Sequence, residues 1–335
     1  MPDHKSKPKR VVVLGAGASR GVSYALEAKY PSPLDTDFFD LLQRRLVLAQ
    51  SSEIRRSIGR VLDRMTTLPF DYWRSMERSF YTLHLRAYLG AKFGSESYED
   101  TDNRVVEDFA VSVQALLRFA HEMNVCKHHQ AIFGPLSRRD AIITFNYDLV
   151  PERALRESFQ KRGAEFGRWL YGLRRKLGEK YGPIVLKLHG SSNWQLGRSE
   201  LSPIQREWAD FDKTYGYQAH EGEGTSFPIF LPFWDKRIEK APWIKLWKLA
   251  HDQLSAATHV IVWGYSLPPT DIKAEQLFVL SLAGKHREPF SLCVVDPAES
   301  TRLRWRALFP KALFWEFPSI ERFLEHPPAW WRVNR

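Results

Sequence analysis

The sequence predicts an α/β protein built on an open parallel sheet, and three observations predict it. Val11-Val12-Val13-Leu14 runs directly into Gly15-Ala16-Gly17-Ala18-Ser19, a buried strand entering a glycine turn. Short apolar, strand-like runs recur at 141–145, 184–188, 260–263 and 292–295. Each of these ends in a polar or glycine-bearing loop: Asn146-Tyr147-Asp148, His189-Gly190-Ser191, Gly264-Tyr265-Ser266 and Asp296-Pro297. In an open parallel sheet ligands bind outside the carboxyl ends of the strands, so these loops predict one shared site.

Taken in order, the run at 11–14 is β-branched and too short for a whole helix. Gly15 and Gly17 allow a tight turn and close backbone approach to a pyrophosphate, whose charge would sit at the following helix N-terminus. Residues 31–36 form a Pro-broken loop in which Asp35 or Thr36 caps a helix starting near Asp37. From 37 to about 130 the pattern is helical. Ile54, Ile58, Val61, Leu62 and Met65 share one face. Trp73, Met76, Phe80, Leu83 and Tyr88 form a second stripe, and Val105, Phe109, Leu116, Ala120 and Met123 a third. This segment reads as a helical insertion. The stretch 194–247 is rich in Trp, Pro, Gly and charge without a clear period, and reads as a loop-rich insertion over the site. The expected organisation is one domain over 1–335. Its Rossmann-like core spans about 10–36, 138–192 and 256–318.

Composition narrows the class. The 335 residues are 44% hydrophobic and 26% charged, as in a globular protein able to bury a core. No run approaches the roughly 20 apolar residues that span a bilayer. The charged start, Met1 to Arg10, lacks the apolar stretch of a signal peptide, so a cytoplasmic protein without membrane contact is expected. Cys126 and Cys293 are the only cysteines, which excludes a disulfide framework and a four-cysteine metal site; no metal is expected. The net charge of +10 is concentrated in the N-terminal tail and along 153–180. That surplus suits a solvated basic helix face or an acidic partner, and leaves direct nucleic-acid binding open. The 12 tryptophans, including Ala329-Trp330-Trp331, suit core packing and an interface equally.

Two residues stand out chemically. The amide of Asn146 donates and accepts at once, which suits orienting a water or a hydroxyl. Asn146 or Asp148 would equally cap the helix that follows. Histidine, whose unperturbed pKa is near neutrality, suits a general base, and His189 lies between a strand and two small residues. His128, His129 and His220 read as structural. A dehydrogenase would show a second strand ending in an acid about 20 residues beyond the glycines. Asp35 and Asp37 stand at about that distance in the Pro-broken loop, and Asp37 is kept as a cofactor-binding candidate. No strand precedes it, however, so hydride transfer is disfavoured.

Gly-Ala-Gly-Ala-Ser (15–19), Thr-Phe-Asn-Tyr-Asp (144–148), Lys-Leu-His-Gly-Ser (187–191) and Gly-Tyr-Ser-Leu (264–267) together resemble the sirtuin family, and more closely its bacterial branch associated with antiphage defence. The resemblance implies a sirtuin-type Rossmann-like fold that takes NAD as substrate. By position, Gly15, Ala16, Gly17 and Ser19 would line pyrophosphate and ribose. Asn146 would hold the nicotinamide ribose and a water, and Asp148 the carboxamide. His189 would be the general base. Gly264 and Ser266 would lie along the phosphates and Asp296 near the adenosine ribose, where an acid favours NAD over NADP.

The chain departs from protein-deacetylating sirtuins in two ways. No cysteine lies between 127 and 292, so their four-cysteine zinc module is missing. Phe145 stands where most sirtuins carry Gln before the Asn. Both point to water as acceptor and to an NAD glycohydrolase that releases nicotinamide and ADP-ribose. Such an activity depletes an essential metabolite, so control by a homo-oligomer or by a partner is expected, for example a HerA-type ATPase or another defence-system subunit. A non-hydrolytic NAD or ADP-ribose sensor and an ADP-ribosyltransferase are the alternatives.

Overall fold

The computed structural model describes residues 9–28, 30–48, 52–92, 99–121, 124–160, 171, 182–192, 194–196, 201–203, 243–283 and 290–331. Where the sequence predicts one domain with two insertions, contacts divide the chain into two compact units. The first comprises Met1–Tyr24, Val125–Gly190 and Lys236–Arg335, the second Ala25–Asn124 and Ser191–Asp235.

The first unit is built on six parallel strands: β1 (Arg10–Leu14), β2 (Ala141–Thr144), β3 (Ile184–Lys187), β6 (His259–Trp263), β7 (Ser291–Val295) and β8 (Leu313–Phe317). Their order is β3-β2-β1-β6-β7-β8. β1, β2, β3 and β7 are buried throughout, which is why they read as continuous apolar runs. β8 is the strand the sequence pattern missed. It lies at the sheet edge with Leu313 and Trp315 exposed, so its sequence shows no buried run. Register aligns Leu14 with Thr144 and Trp263, Thr144 with Lys187, and Trp263 with Val295. The residues following these strands therefore emerge along one edge.

The chain runs outward from β1 through β2 to β3, then returns to β6 on the other side of β1. This puts the topological switch point between β1 and β6. The helices of this unit are α1 (Ala16–Arg20), α6 (Lys127–Phe133), α7 (Val150–Gln160), α8 (Trp243–Ala256), α9 (Ile272–Ala283), α10 (Glu299–Leu308) and α11 (Ile320–Glu325). Right-handed crossovers place α6 and α7 on one face and α8, α9 and α10 on the other. The packing agrees: α6 lies on α7 and α11, α8 lies on α9, and Trp305 of α10 meets Phe278 of α9 at 5.0 Å.

α6 falls inside the expected helical insertion, yet it belongs to the sheet unit. His129, Ile132 and Phe133 bury its inner face, and Ser23 ties its start through Oγ to the Lys127 N–H at 2.8 Å. His129 sits at 3.1 Å from the buried Cys126 Sγ and against Trp263, and His128 contacts the Gly21 carbonyl at 3.2 Å. Trp331 packs inward, on Phe323 and under the Arg10 guanidinium, and Trp330 lies against His259. Trp331 is part of the core, and Trp330 is half-buried.

The second unit contains α2 (Phe38–Leu48), α3 (Ser52–Met65), a 3-10 turn (Phe70–Arg74), α4 (Met76–Lys92), α5 (Glu99–His121) and an antiparallel pair, β4 (Trp194–Leu196) with β5 (Leu201–Pro203). Its helices make their own aromatic core, in which Phe109 meets Phe38, Phe39 and Phe80. Asp108 receives Arg60 and Arg64 at 2.5 and 2.7 Å. The predicted stripe through Trp73 and Met76 is broken between them. Ser75 is extended, and its Oγ accepts the Arg78 N–H at 3.1 Å, starting a new helix. Asp37, and neither Asp35 nor Thr36, stands at the start of α2, with its carbonyl accepting the Leu41 N–H. Asp35 instead receives Glu77 N–H at the start of α4, and burial pushes its carboxyl above the ordinary range.

Met123, His220, residues 1–8 of the basic tail, most of 161–180 and all of 204–242 lie outside the described residues. No described helix is long and apolar enough to cross a membrane. Among the described residues no group of three or more His, Cys, Asp or Glu is placed to hold a metal ion.

Candidate active site

The first unit gathers its chemical side chains at the switch point. Asn146 follows β2 by two residues and is 7% exposed. Its Nδ2 donates to the Gly15 carbonyl at 2.7 Å and to Ser19 Oγ at 2.8 Å. A carbonyl only accepts, so the nitrogen end of this amide faces Gly15, and Oδ1 is directed away. Ser19 Oγ in turn donates to Asp148 Oδ2 at 2.5 Å, and Asp148 Oδ1 accepts the Val150 N–H at 2.9 Å. Asp148 is thus the cap of α7, a role the sequence divides between Asn146 and Asp148. It also ties that cap to the turn after β1.

Beneath this chain lies a charge pair that the sequence did not reveal. Lys187, the last residue of β3, and Glu152 in α7 are both fully buried, with Nζ and Oε1 3.0 Å apart. Lys187 Nζ also donates to the Asp148 carbonyl, and Tyr171 donates to the same Glu152 oxygen at 3.2 Å. Buried charges persist only when paired and hydrogen-bonded. The pair therefore holds the loop that carries Asn146 and Asp148.

His189 follows β3 by two residues, as Asn146 follows β2, and Thr144 and Lys187 are register partners. Gly190 has φ +91°, a conformation that favours glycine and lets the chain turn away immediately behind the imidazole. His189 is 3% exposed, and its Nε2 lies 3.0 Å from Asp271 Oδ2. Phe145 and the imidazole pack T-shaped at 5.0 Å, and Phe145 stacks on Tyr265 at 4.1 Å. Tyr265 donates to Asp271 Oδ2 at 3.0 Å. Asp271 is absent from the sequence reading, and Tyr265 enters it only as part of the Gly264-Tyr265-Ser266 loop. The signal available was an acid six residues beyond a tyrosine in a Pro-Pro-Thr loop, which is too common to be read alone.

The glycines of this turn sit in close backbone packing. A Cβ on Gly15 would lie 2.5 Å from the Gly264 carbonyl oxygen, one on Gly17 2.7 Å from Gly264 Cα, and one on Gly264 2.2 Å from the Ala18 nitrogen. These glycines let the turns after β1 and β6 meet backbone to backbone. Gly17 N–H donates to the Gly264 carbonyl at 2.9 Å and Ala18 N–H to the Gly15 carbonyl. Ala16 is the exposed residue of the turn.

The remaining candidates have partners of their own. Ser266 is exposed, and Arg304 donates to its carbonyl and to that of Leu267. Asp296 follows β7, and its Oδ1 accepts the Ala298 N–H at 2.9 Å ahead of α10; burial raises its carboxyl pKa above the ordinary value. Asp37 lies in the helical unit, where its Oδ1 accepts the Leu34 N–H at 2.8 Å.

Strand order and the location of this cluster define a doubly wound, Rossmann-like α/β unit with polar chemistry at the switch point. No family model matches the chain, and no curated protein matches it. Solved structures similar to it are Sir2 proteins. A Sir2 homolog–NAD complex has 15% identity and a TM-score of 0.44, covering 95% of this chain and 88% of that chain. A mutant Sir2 homologue in complex with 2′-O-acetyl ADP ribose has 15% identity and a TM-score of 0.47, with 98% and 95% covered. A Sir2–p53 peptide–NAD+ complex has 14% identity and a TM-score of 0.41, with 95% and 90% covered.

Proposed function

We propose that the first unit is an NAD-using enzyme that hydrolyses the nicotinamide–ribose bond to nicotinamide and ADP-ribose. One observation carries this reading. Asn146 is held by the turn after β1 with its amide oxygen directed away, while His189 occupies the equivalent position on the neighbouring strand. An amide acceptor and an imidazole on adjacent strand ends suit orienting a ribose hydroxyl or a water and removing its proton. In this role Ser19 and Asp148 hold Asn146, and Gly15, Ala16, Gly17, Gly264, Ser266 and Asp296 line the dinucleotide along the switch point. The absence of cysteines between 127 and 292 leaves no zinc module for a peptide groove, which supports water as the acceptor. Uncontrolled hydrolysis would exhaust NAD. The reading therefore extends to a regulated effector of antiphage defence, controlled by self-assembly or by a partner subunit.

The test is nicotinamide release from NAD by the purified protein, alone and with the product of the adjacent gene. Release that persists undiminished in both Asn146→Ala and His189→Ala overturns the site. Thermal stabilisation by NAD without any product would instead establish a sensing module. Transfer of label from NAD onto protein or nucleic acid would establish a transferase.

A further inference from the structure

We propose that Asp271 is the positioning residue of the site: it fixes the tautomer of His189 so that Nδ1, and not Nε2, is the basic nitrogen. The inference rests on the NAD-hydrolase reading for its catalytic consequence. Its structural content stands on the hydrogen bonds alone.

Asp271 Oδ2 receives the Tyr265 hydroxyl at 3.0 Å and lies 3.0 Å from His189 Nε2. Oδ1 accepts the Ala274 N–H at 3.3 Å at the start of α9. An ionised carboxylate is acceptor-only, so both partners of Oδ2 must donate. A neutral His189 in this arrangement carries its proton on Nε2 and its lone pair on Nδ1, because the partner of one ring nitrogen decides which nitrogen is protonated.

The loop that delivers Asp271 is built to hold it. Leu267 is buried with φ +51°, an uncommon conformation for a residue with a side chain, and such strain persists where surrounding contacts over-determine it. Those contacts come from α10. Trp305 Nε1 donates to the Tyr265 carbonyl at 3.0 Å, and Arg304 donates to the Ser266 and Leu267 carbonyls at 3.1 and 2.8 Å. The Phe145–Tyr265 stack, with ring planes 6° apart, closes the apolar side of the imidazole. Carboxylate and phenol are thereby set around His189 from the opposite half of the sheet.

In the hydrolytic step a water oxygen forms the bond to the ribose C1′ as the C1′–N1 bond breaks. The pair of that bond passes to the pyridinium nitrogen, giving neutral nicotinamide. The water proton passes to His189 Nδ1 and then to solvent. The imidazolium formed is stabilised by Asp271, which stays ionised throughout, the division of labour seen in acid–histidine pairs generally.

The test reads the tautomer directly, by ¹⁵N spectroscopy of the full-length protein labelled in histidine, with His189→Gln used to assign the resonances. The expected result is a protonated Nε2 and an unprotonated Nδ1 in the unmodified protein. In Asp271→Asn the side-chain amide donates to Nε2, and the proton moves to Nδ1. NAD cleavage should then fall about 10²- to 10⁴-fold while the melting transition persists. A protonated Nδ1 in the unmodified protein overturns the inference without recourse to any variant. Equal NAD cleavage by the unmodified protein and Asp271→Asn overturns the positioning role and leaves the hydrolase reading standing. The expected tautomers in a protein that never cleaves NAD support the inference and sink the hydrolase reading.

Discussion

The two halves of the parallel sheet use their strand ends in opposite ways. After β1, β2 and β3 the ends carry interlocked side chains: Ser19, Asn146 and Asp148 in one chain, Lys187 and Glu152 beneath it, His189 beside it. After β6 and β7 the ends are backbone and turns: Gly264 pressed against the β1 turn, Asp296 accepting the Ala298 N–H ahead of α10, carbonyls held by Arg304 and Trp305. One half presents polar side chains bonded to one another, the other mainly close-packed backbone. They are joined through the Phe145–Tyr265 stack and the His189–Asp271 pair. A polar side chain on one set of strands has a fixed direction only when rigid turns on the other set fix what it faces.

Variants break or sharpen this contrast, beginning with the largest effect. Asn146→Ala and His189→Ala should each lower nicotinamide release by about 10²- to 10⁴-fold in a protein that still melts cooperatively, at a temperature lowered by the buried hydrogen bonds removed. Loss of fold in either would place these residues among the structural ones.

Lys187→Met strands a fully buried Glu152 carboxylate and should cost about 3–5 kcal/mol of stability in chemical denaturation. Adding Glu152→Leu should recover most of it. A single variant as stable as the parent would show that the pair does not carry the loop.

In the other half, Gly264→Ala puts a Cβ 2.2 Å from the Ala18 nitrogen at φ +63°. It should destabilise by about 3 kcal/mol, read as a lowered melting temperature.

The smallest effect is expected at Asp296, whose folded-state pKa is raised by burial. Between its ordinary value, about 3.9, and that raised value the folded protein holds the proton more tightly than the unfolded chain. Stability from this group is therefore full at low pH and lost as pH rises through the folded pKa. Asp296→Asn keeps an acceptor for the Ala298 N–H and removes the charge. Its melting temperature should be slightly higher at neutral pH and lack that fall; superimposable pH profiles would refute the assignment.

The legible part of this protein is local. Four Val and Leu residues followed by two glycines announce β1 and its turn, and the runs at β2, β3, β6 and β7 announce themselves because each is apolar and buried. β8 was illegible because an edge strand with exposed Leu313 and Trp315 has no buried run to show. The polar residues after the strands were also legible, since a polar residue directly behind an apolar run breaks the pattern. Their partners were not. Gly15 and Asn146 are 131 residues apart, and nothing near Gly15 tells that its carbonyl will receive that amide. The same distance problem hid Lys187 from Glu152 and Asp271 from His189.

The sequence by itself thus determined the parallel sheet, the glycine turn and the candidates Asn146 and His189. Each depends on burial periodicity and backbone freedom, which act over a few residues. Only the tertiary structure decided that Gly15, Gly17 and Gly264 serve one another, that Asp148 belongs to Ser19, and that Asp271 belongs to His189. Those relations follow from strand order and register, which bring distant segments to the same edge of the sheet.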